Sequence, residues 1–294
     1  MITIMQDSSI IAGCMKWGAW GAGFSAKEYD RMVRECMDAG VHTFDHADIY
    51  GGYTTEAEFG SVLRNAPSLR EEMRLITKCG ICLKVPERPA HEVKHYDTRA
   101  SHIVASAERS LRNLQTDRID LLLIHRPDPL MDPEEIAEAL DRLMKEGKVL
   151  SAGISNFSVS QTDLISRWIP ITTHQLEFSL GHPDPLFNGV LDRCRWHNIR
   201  VQAWSPLGGL FSANSLDGEQ AGLRMATEMA KRRGVAVDQI LLAWILHHPM
   251  GIRPVIGTTR PERVRAAVAA AENIELSRQE WFQLLEAYRG QEVP

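Results

Sequence analysis

Eight short runs of branched and apolar residues recur along the chain, at 10–14, 41–45, 73–78, 119–125, 149–155, 171–177, 199–205 and 252–257. Each is followed by a stretch with helical punctuation. Runs such as Ile119-Asp-Leu-Leu-Leu-Ile124 show no in–out alternation, which suits parallel strands covered on both faces. Ser25-Ala-Lys-Glu28 is a capping box opening a helix that stops near Gly40. Asp132-Pro133 supplies an N-cap and a first-turn proline, with Gly147 closing that helix. Ser277-Arg-Gln-Glu280 opens a terminal helix ending near Arg289, and 218–248 reads as two helices broken near Gly234. Eight strands alternating with helices, with no linker and no break in composition, predict one α/β domain over residues 1–294, a (β/α)8 TIM barrel. Alternation alone also fits a doubly wound sheet. At 294 residues the chain is two domains by a rule of about 150 each, or one barrel of about 250 residues with longer loops.

With 44% hydrophobic and 24% charged residues, the composition is that of an ordinary globular protein. Net charge is −5, and the densest basic run, Lys231-Arg232-Arg233, falls at a helix end where it complements the helix dipole. Nucleic acid is therefore not an expected partner. No apolar run reaches the ~18–20 residues of a membrane span. The first residues lack the charged and apolar regions of a secretion signal. Five cysteines, an odd and sparse set, argue against a disulfide scaffold. The expectation is a cytoplasmic, monomeric protein acting on a small molecule, with no metal.

On such a barrel the active site forms at the C-terminal strand ends, and reactive residues collect there. Asp45 ends the second run, with Tyr50 five residues on; Lys78 ends the third and His125 the fourth. Ser155 ends the fifth run with Asn156 after it, Gln175 lies in the sixth, Ser205 closes the seventh, and Gly257 closes the eighth with Thr258 and Thr259 after it. A charge concluding an apolar run is costly unless paired, which makes Lys78 and Asp45 natural partners. An ammonium beside Tyr50 is expected to lower the phenol pKa by stabilising the phenolate. Tyr50 is then a candidate general acid toward a carbonyl oxygen, with His125 donating a second hydrogen bond.

FDHADIYGGYTTEAEFG, LITKCG, LLLIHRPDP, GKVLSAGISNF, AWSPLGG and PVIGTTRPERVRAA occur in the order of the motifs of the aldo-keto reductases, which the chain resembles from residue 41 to about 267. FDHADIYGGY and LLLIHRPDPLMDPEE are most similar to the bacterial YdhF-type oxidoreductases. The resemblance implies a tetrad of Tyr50 (acid/base), Lys78, Asp45 and His125, and an NADPH lying extended across the barrel mouth. It places Met15, Lys16 and Asp45 beside the cofactor, Ser155, Asn156 and Gln175 on its carboxamide, and Trp204 on the nicotinamide. Ser205, Pro206, Leu207 and Gly208 would follow the pyrophosphate. Ile256 and Gly257 would also contact the cofactor, and Thr258, Thr259, Arg260 and Arg263 would surround the adenosine 2′-phosphate at a helix N-terminus, a setting that suits anions. Arginine there favours NADPH over NADH by bidentate pairing with phosphate. The chain departs from the family at Ala266-Ala267, where Glu-Asn often grips adenine. Trp17, Trp20, Tyr50, Tyr53 and His125 are the expected substrate contacts. Trp17, Trp20 and Tyr53 suggest an apolar carbonyl pocket, with loops near 86–96 and 210–218 setting specificity.

Four other readings use the same residues. Gly21-Ala-Gly23-Phe-Ser-Ala26 matches a dinucleotide fingerprint with Asp45 about twenty residues on, but residues 15–20 separate it from the strand. Cys79-Gly-Ile-Cys82 beside Lys78 would be a redox pair if the cation lowered a thiol pKa, although a thioredoxin context is missing. Asp45, His46, Asp48, His125 and His174 would serve a metal-dependent hydrolase, yet Lys78 among them would repel a cation. A module that binds NADPH to sense it, with slow turnover, would carry the same cofactor residues.

Overall fold

The computed structural model describes residues 8–212 and 216–293. Eight parallel strands close into a barrel: β1 Ile11–Gly13, β2 Thr43–Asp45, β3 Arg74–Cys79, β4 Leu121–Ile124, β5 Ala152–Ser155, β6 Thr173–Glu177, β7 Arg200–Trp204 and β8 Arg253–Ile256. Each falls in one of the eight runs, β3 passing the end of its own by one residue, Cys79. Closure is made by β8 against β1, with Val255 opposite Ile11, so the sheet is not doubly wound. All but β3 are shorter than their runs because the flanks pair little; Ile119 and Val149 form only an isolated bridge.

Successive residues of a barrel strand face inward and outward in turn. Ile11, Ile76, Leu121, Leu123 and Val255 form one buried cluster filling the interior. Leu122, Ile124, Ala152, Ile154, Val201 and Ala203 belong to another, packed against the helices. The interior register then continues upward, since Lys78 is two residues beyond Ile76 and His125 two beyond Leu123. An apolar strand thereby delivers a polar side chain to the barrel mouth.

The helices obey their sequence punctuation. Ala26–Asp38 buries Tyr29, Met32, Val33 and Cys36, one stripe at helical spacing, and its capping box from Ser25 and Glu28 is fully formed. The Asp132 carboxylate accepts from the Glu134 and Glu135 amides to open Pro133–Lys145. Ser277 and Glu280 cap Arg278–Arg289. The 218–248 stretch divides into Asp217–Arg233 and Val237–Leu246, with Gly234 in the left-handed region at φ 66°. Among the described residues no helix is long and apolar enough to cross a membrane.

The dinucleotide-like glycines do something other than bind phosphate. After β1 the chain folds back on itself, with Gly21 donating to the Gly18 carbonyl, and a Cβ at Gly21 would lie 2.0 Å from the Lys16 carbonyl oxygen. The glycine permits that backbone approach. The lowered thiol pKa that a Cys79–Cys82 redox pair would need is absent too. Alternation turns Cys79 away from Lys78 and into the outer core, where burial raises its thiol well above the usual value; burial pushes Cys82 up to about 11.

Two histidines are sealed in the same layers. The His46 ring stands edge-on to Phe59 at 4.5 Å, and neither of its nitrogens has a partner among the described residues. His174 Nε2 accepts from the Phe157 amide at 3.0 Å, so its proton sits on Nδ1, 3.6 Å from Cys194 Sγ. Asp45 is committed to Lys78, and among the described residues no three such side chains are grouped to hold a metal. Burial pushes His46 and His174 down to about 3 from the ordinary 6.5. The unfolded chain therefore binds more protons than the folded one between those values, and the stability these groups confer is lost as pH falls from 6.5 toward 3. One pKa unit is about 1.4 kcal/mol, so two such groups cost several kcal/mol by about pH 4. Differential scanning calorimetry should show the Tm dropping between about pH 7 and pH 5; a level Tm would contradict the neutral assignment.

Candidate active site

Lys78 and Asp45 meet at the top of the barrel interior. Lys78 Nζ donates to Asp45 Oδ2 at 2.6 Å, to the His46 carbonyl at 2.8 Å and to the Tyr50 hydroxyl at 3.1 Å. All three ammonium protons are thus placed. Asp45 Oδ1 accepts from Gln175 Nε2 at 2.8 Å, and the same amide donates to Gln202 Oε1 at 3.0 Å. The charged pair is almost fully sealed, with side-chain exposures of 1% and 3%. Because the Tyr50 oxygen accepts from Lys78, its own proton is free to point elsewhere.

Tyr50 follows β2 and opens the short turn Tyr50–Tyr53. The segment before it is fastened on both sides. The Asp48 amide donates to the Lys78 carbonyl at 3.0 Å, and the Asp48 carboxylate accepts from Ser106 Oγ, on the helix Ala100–Leu114, at 2.5 Å. Burial pushes that carboxyl up to about 7. His125, just past β4, donates its backbone amide to the Cys79 carbonyl at 2.8 Å and sets its ring edge-on to Tyr50 at 6.2 Å. His125 Nδ1 is buried without a partner among the described residues.

Electrostatics correct one expectation. The Tyr50 pKa is raised, not lowered: burial is the largest influence, Asp45 adds to it, and Lys78 opposes it without winning. Burial alone would lower Lys78, but Asp45 and Tyr50 outweigh it and the ammonium is held above its usual range. Burial, then Lys78, Arg126 and Lys94, hold His125 well below the ordinary histidine value, so its ring is neutral. The arrangement is a protonated phenol on a permanent cation, with a neutral imidazole across from it.

A cavity of about 620 Å³ opens from Tyr50 and His125 and reaches Arg263. That is ample for a cofactor-sized ligand. Along it stand Met15, Lys16, Asp45, Ser155, Gln175 and Trp204, then Ser205, Pro206, Leu207 and Gly208, then Ile256, Gly257, Thr258 and Arg263; Trp20 lines it too. Ser205 holds a left-handed backbone at φ 52°, a conformation that a non-glycine residue keeps only where its surroundings impose it.

Other expected residues stand elsewhere. Asn156 borders a neighbouring hollow; its Oδ1 accepts from the Trp204 indole at 3.1 Å and its Nδ2 donates to Ser155 Oγ at 2.9 Å, so it holds two lining residues instead of lining the cavity. Trp17 is buried among Phe24, Tyr29, Phe44 and Phe59, its indole donating to the Thr258 carbonyl at 3.0 Å. Tyr53 accepts from the Leu83 amide and lies under Arg88, off the lining. Thr259 and Arg260 also miss it, and Arg260 is the exposed N-cap of Pro261–Asn273. In the loop regions expected to set specificity, Lys94 reaches the cavity from the ribbon formed by Ile81–Cys82 and His95–Tyr96, while 213–215 fall outside the described residues.

The lining also holds residues that the sequence did not single out: Ile49, Ile81, Leu83, Lys94 and Arg126 near Tyr50, and Asp238 and Leu242 near Arg263, beside Ala267 at the adenine position. Arg126 follows His125 directly, which was a usable signal. Its Nη1 donates to the His125 carbonyl at 2.8 Å, its guanidinium lies 5.4 Å over the Trp204 ring, and no carboxylate among the described residues pairs with it.

A closed (β/α)8 barrel with a buried Lys–Asp–Tyr cluster at its C-terminal mouth, opening on a long cleft, is the architecture of a barrel oxidoreductase. The chain belongs to the aldo/keto reductase family, whose family model matches residues 9–289. It is 43% identical to the oxidoreductase YdhF of Escherichia coli over 282 residues, covering 95% of this chain and 93% of that protein. It is 42% identical to a 6-dehydroglucose reductase of Agrobacterium fabrum, covering 98% and 97%. Among solved structures, an aldo/keto reductase from Klebsiella pneumoniae in complex with NADP and acetate matches with a TM-score of 0.76 at 26% identity, covering 95% of this chain and 91% of that one.

Proposed function

We propose that the protein reduces aldehyde and ketone carbonyls to alcohols with NADPH. The hydrogen-bonded set of Lys78, Asp45 and Tyr50, with His125 opposite, carries this reading. The residues present fit the cofactor. Ser155 and Gln175 offer amide-binding groups beside Tyr50, Trp204 offers an aromatic face, the 205–208 turn presents backbone, and Arg263 supplies a cation at the far end. The NADP complex of the Klebsiella relative supports the same assignment.

Bound NADPH supplies the hydride. Tyr50 gives its proton to the carbonyl oxygen, since its own oxygen already accepts from Lys78 and its proton is free to be donated. Lys78 then stabilises the phenolate that remains, and Asp45 keeps Lys78 charged and aimed. Neutral His125 donates from Nε2 to the same carbonyl oxygen and orients it. Only Trp20 of the three aromatics expected to make an apolar pocket reaches the cavity, and Lys94 and Arg126 stand there too. The substrates are accordingly carbonyl compounds with further acceptor oxygens, and the name of the Agrobacterium relative points the same way.

Two outcomes follow from this geometry. Tyr50 keeps its proton throughout the neutral range, so kcat for carbonyl reduction should be level from about pH 6 to 8 and decline only above about 10. An alkaline limb centred near 7 would show that the acid is another group. Trp204 and Trp20 line the cavity, so NADPH should quench tryptophan emission saturably, and Trp204→Phe should remove part of that signal. Unquenched emission with NADPH in excess would count against cofactor binding there.

A further inference from the structure

At the end of the cavity away from Tyr50, Arg263 Nη2 lies 3.3 Å from Asp238 Oδ2, and both residues line the cavity. Each comes from the first turn of its helix, Arg263 from Pro261–Asn273 and Asp238 from Val237–Leu246. The Arg263 side chain is half exposed, whereas that of Asp238 is only 18% exposed, so the acid is the more fixed of the two. Around them the wall is apolar, formed by Leu242 and Ala267, and the Ala266 carbonyl is already taken by Gln239 Nε2 at 2.9 Å. Adenine therefore meets mainly hydrocarbon here, and selection falls on the ion pair.

The two side chains ask for different ligands. A guanidinium suits the 2′-phosphate of NADPH. A carboxylate accepts a hydrogen bond from the 2′-hydroxyl of NADH and repels a phosphate. An acid bonded to that arginine competes with a phosphate for the guanidinium and adds a like charge beside it.

We propose that the Asp238–Arg263 pair sets the cofactor selectivity of this chain and lets it bind NADH as well as NADPH. Asp238 accepts from the NADH 2′-hydroxyl; with NADPH, Arg263 turns to the 2′-phosphate while the Asp238 charge opposes it. This rests on the cofactor reading above.

The test is equilibrium binding followed by tryptophan emission, with NADPH and NADH as ligands, and calorimetry with 2′-AMP for the phosphate subsite alone. The wild-type protein should bind both dinucleotides with Kd values within about thirtyfold of each other. Asp238→Asn, which keeps the shape and removes the charge, should tighten NADPH and 2′-AMP by about threefold or more and weaken NADH, with a larger effect at low salt. Arg263→Gln should weaken NADPH by more than about tenfold and leave NADH nearly unchanged. A thermal melt confirms that each variant is folded. A selectivity ratio within about twofold of wild type in Asp238→Asn, a ratio shifted toward NADH, or a wild-type preference above about thirtyfold overturns the proposal. Binding of neither dinucleotide by the wild type overturns instead the cofactor reading on which it rests.

Discussion

Tyr50→Phe is expected to lower the rate of carbonyl reduction by about 10²–10⁴-fold, the usual contribution of a positioned general acid. The loss should be clean because only one oxygen is removed. The phenol ring packs against Trp20 and His125 in the cavity wall, and Phe keeps both contacts. Its hydroxyl accepts a single hydrogen bond, from Lys78, whose other two protons remain bound by Asp45 and the His46 carbonyl. NADPH affinity should therefore stay within about twofold of wild type while kcat collapses, the signature of a group that acts in the transition state. Rapid mixing of the NADPH-loaded protein with a reactive aldehyde, followed by the loss of reduced nicotinamide, separates the two quantities. An undiminished kcat would mean that the proton comes from somewhere else.

Asp45→Asn should be the most damaging single change to stability in the site. It leaves the Lys78 ammonium sealed beneath the barrel mouth with no counter-charge, and breaking a buried pair from one side costs about 3–5 kcal/mol. A second penalty arises from geometry. The two oxygens of Asp45 face two donors, Lys78 Nζ and Gln175 Nε2, and an asparagine must turn its own amide protons toward one of them. At about 2–4 °C per kcal/mol for a chain somewhat smaller than this, the Tm should fall by about 10 °C. The pair is coupled, so removing both charges in Lys78→Met/Asp45→Leu should cost less than the sum of the single changes. Melting curves of the four proteins decide it; additive losses would mean that the two charges do not interact.

The barrel was legible because its strands are covered on both faces and so read as unbroken apolar runs. The centre was legible for a related reason. A lysine and an aspartate that end such runs cannot both be buried apart, and counting inward-facing positions from Ile76 and Leu123 brings Lys78 and His125 to the mouth. The same counting shows why Asn156 stands off the cavity: Ser155 before it faces inward, so Asn156 faces away and holds Trp204 from behind. Trp17 and Trp20 could not be told apart, because the turn at Gly21 decides which of them faces the core, and that turn is a tertiary fit. The direction of the Tyr50 shift was misread because the nearby cation is visible in the motif while the depth of burial is not. Asp238 carried no signal, since its meaning depends on a helix that brings it to Arg263 from 25 positions away.

The central claim is that a hydride passes from NADPH to a carbonyl carbon at Tyr50. NADPH carrying deuterium on the transferable C4 position, incubated with the protein and an oxygen-rich aldehyde, tests it directly by mass spectrometry of the product. The account predicts an alcohol with one deuterium on the former carbonyl carbon, formed in step with NADPH consumption and reduced by about 10²–10⁴-fold in rate in Tyr50→Phe. Alcohol without deuterium, or no alcohol from any carbonyl while NADPH binds tightly, would contradict it.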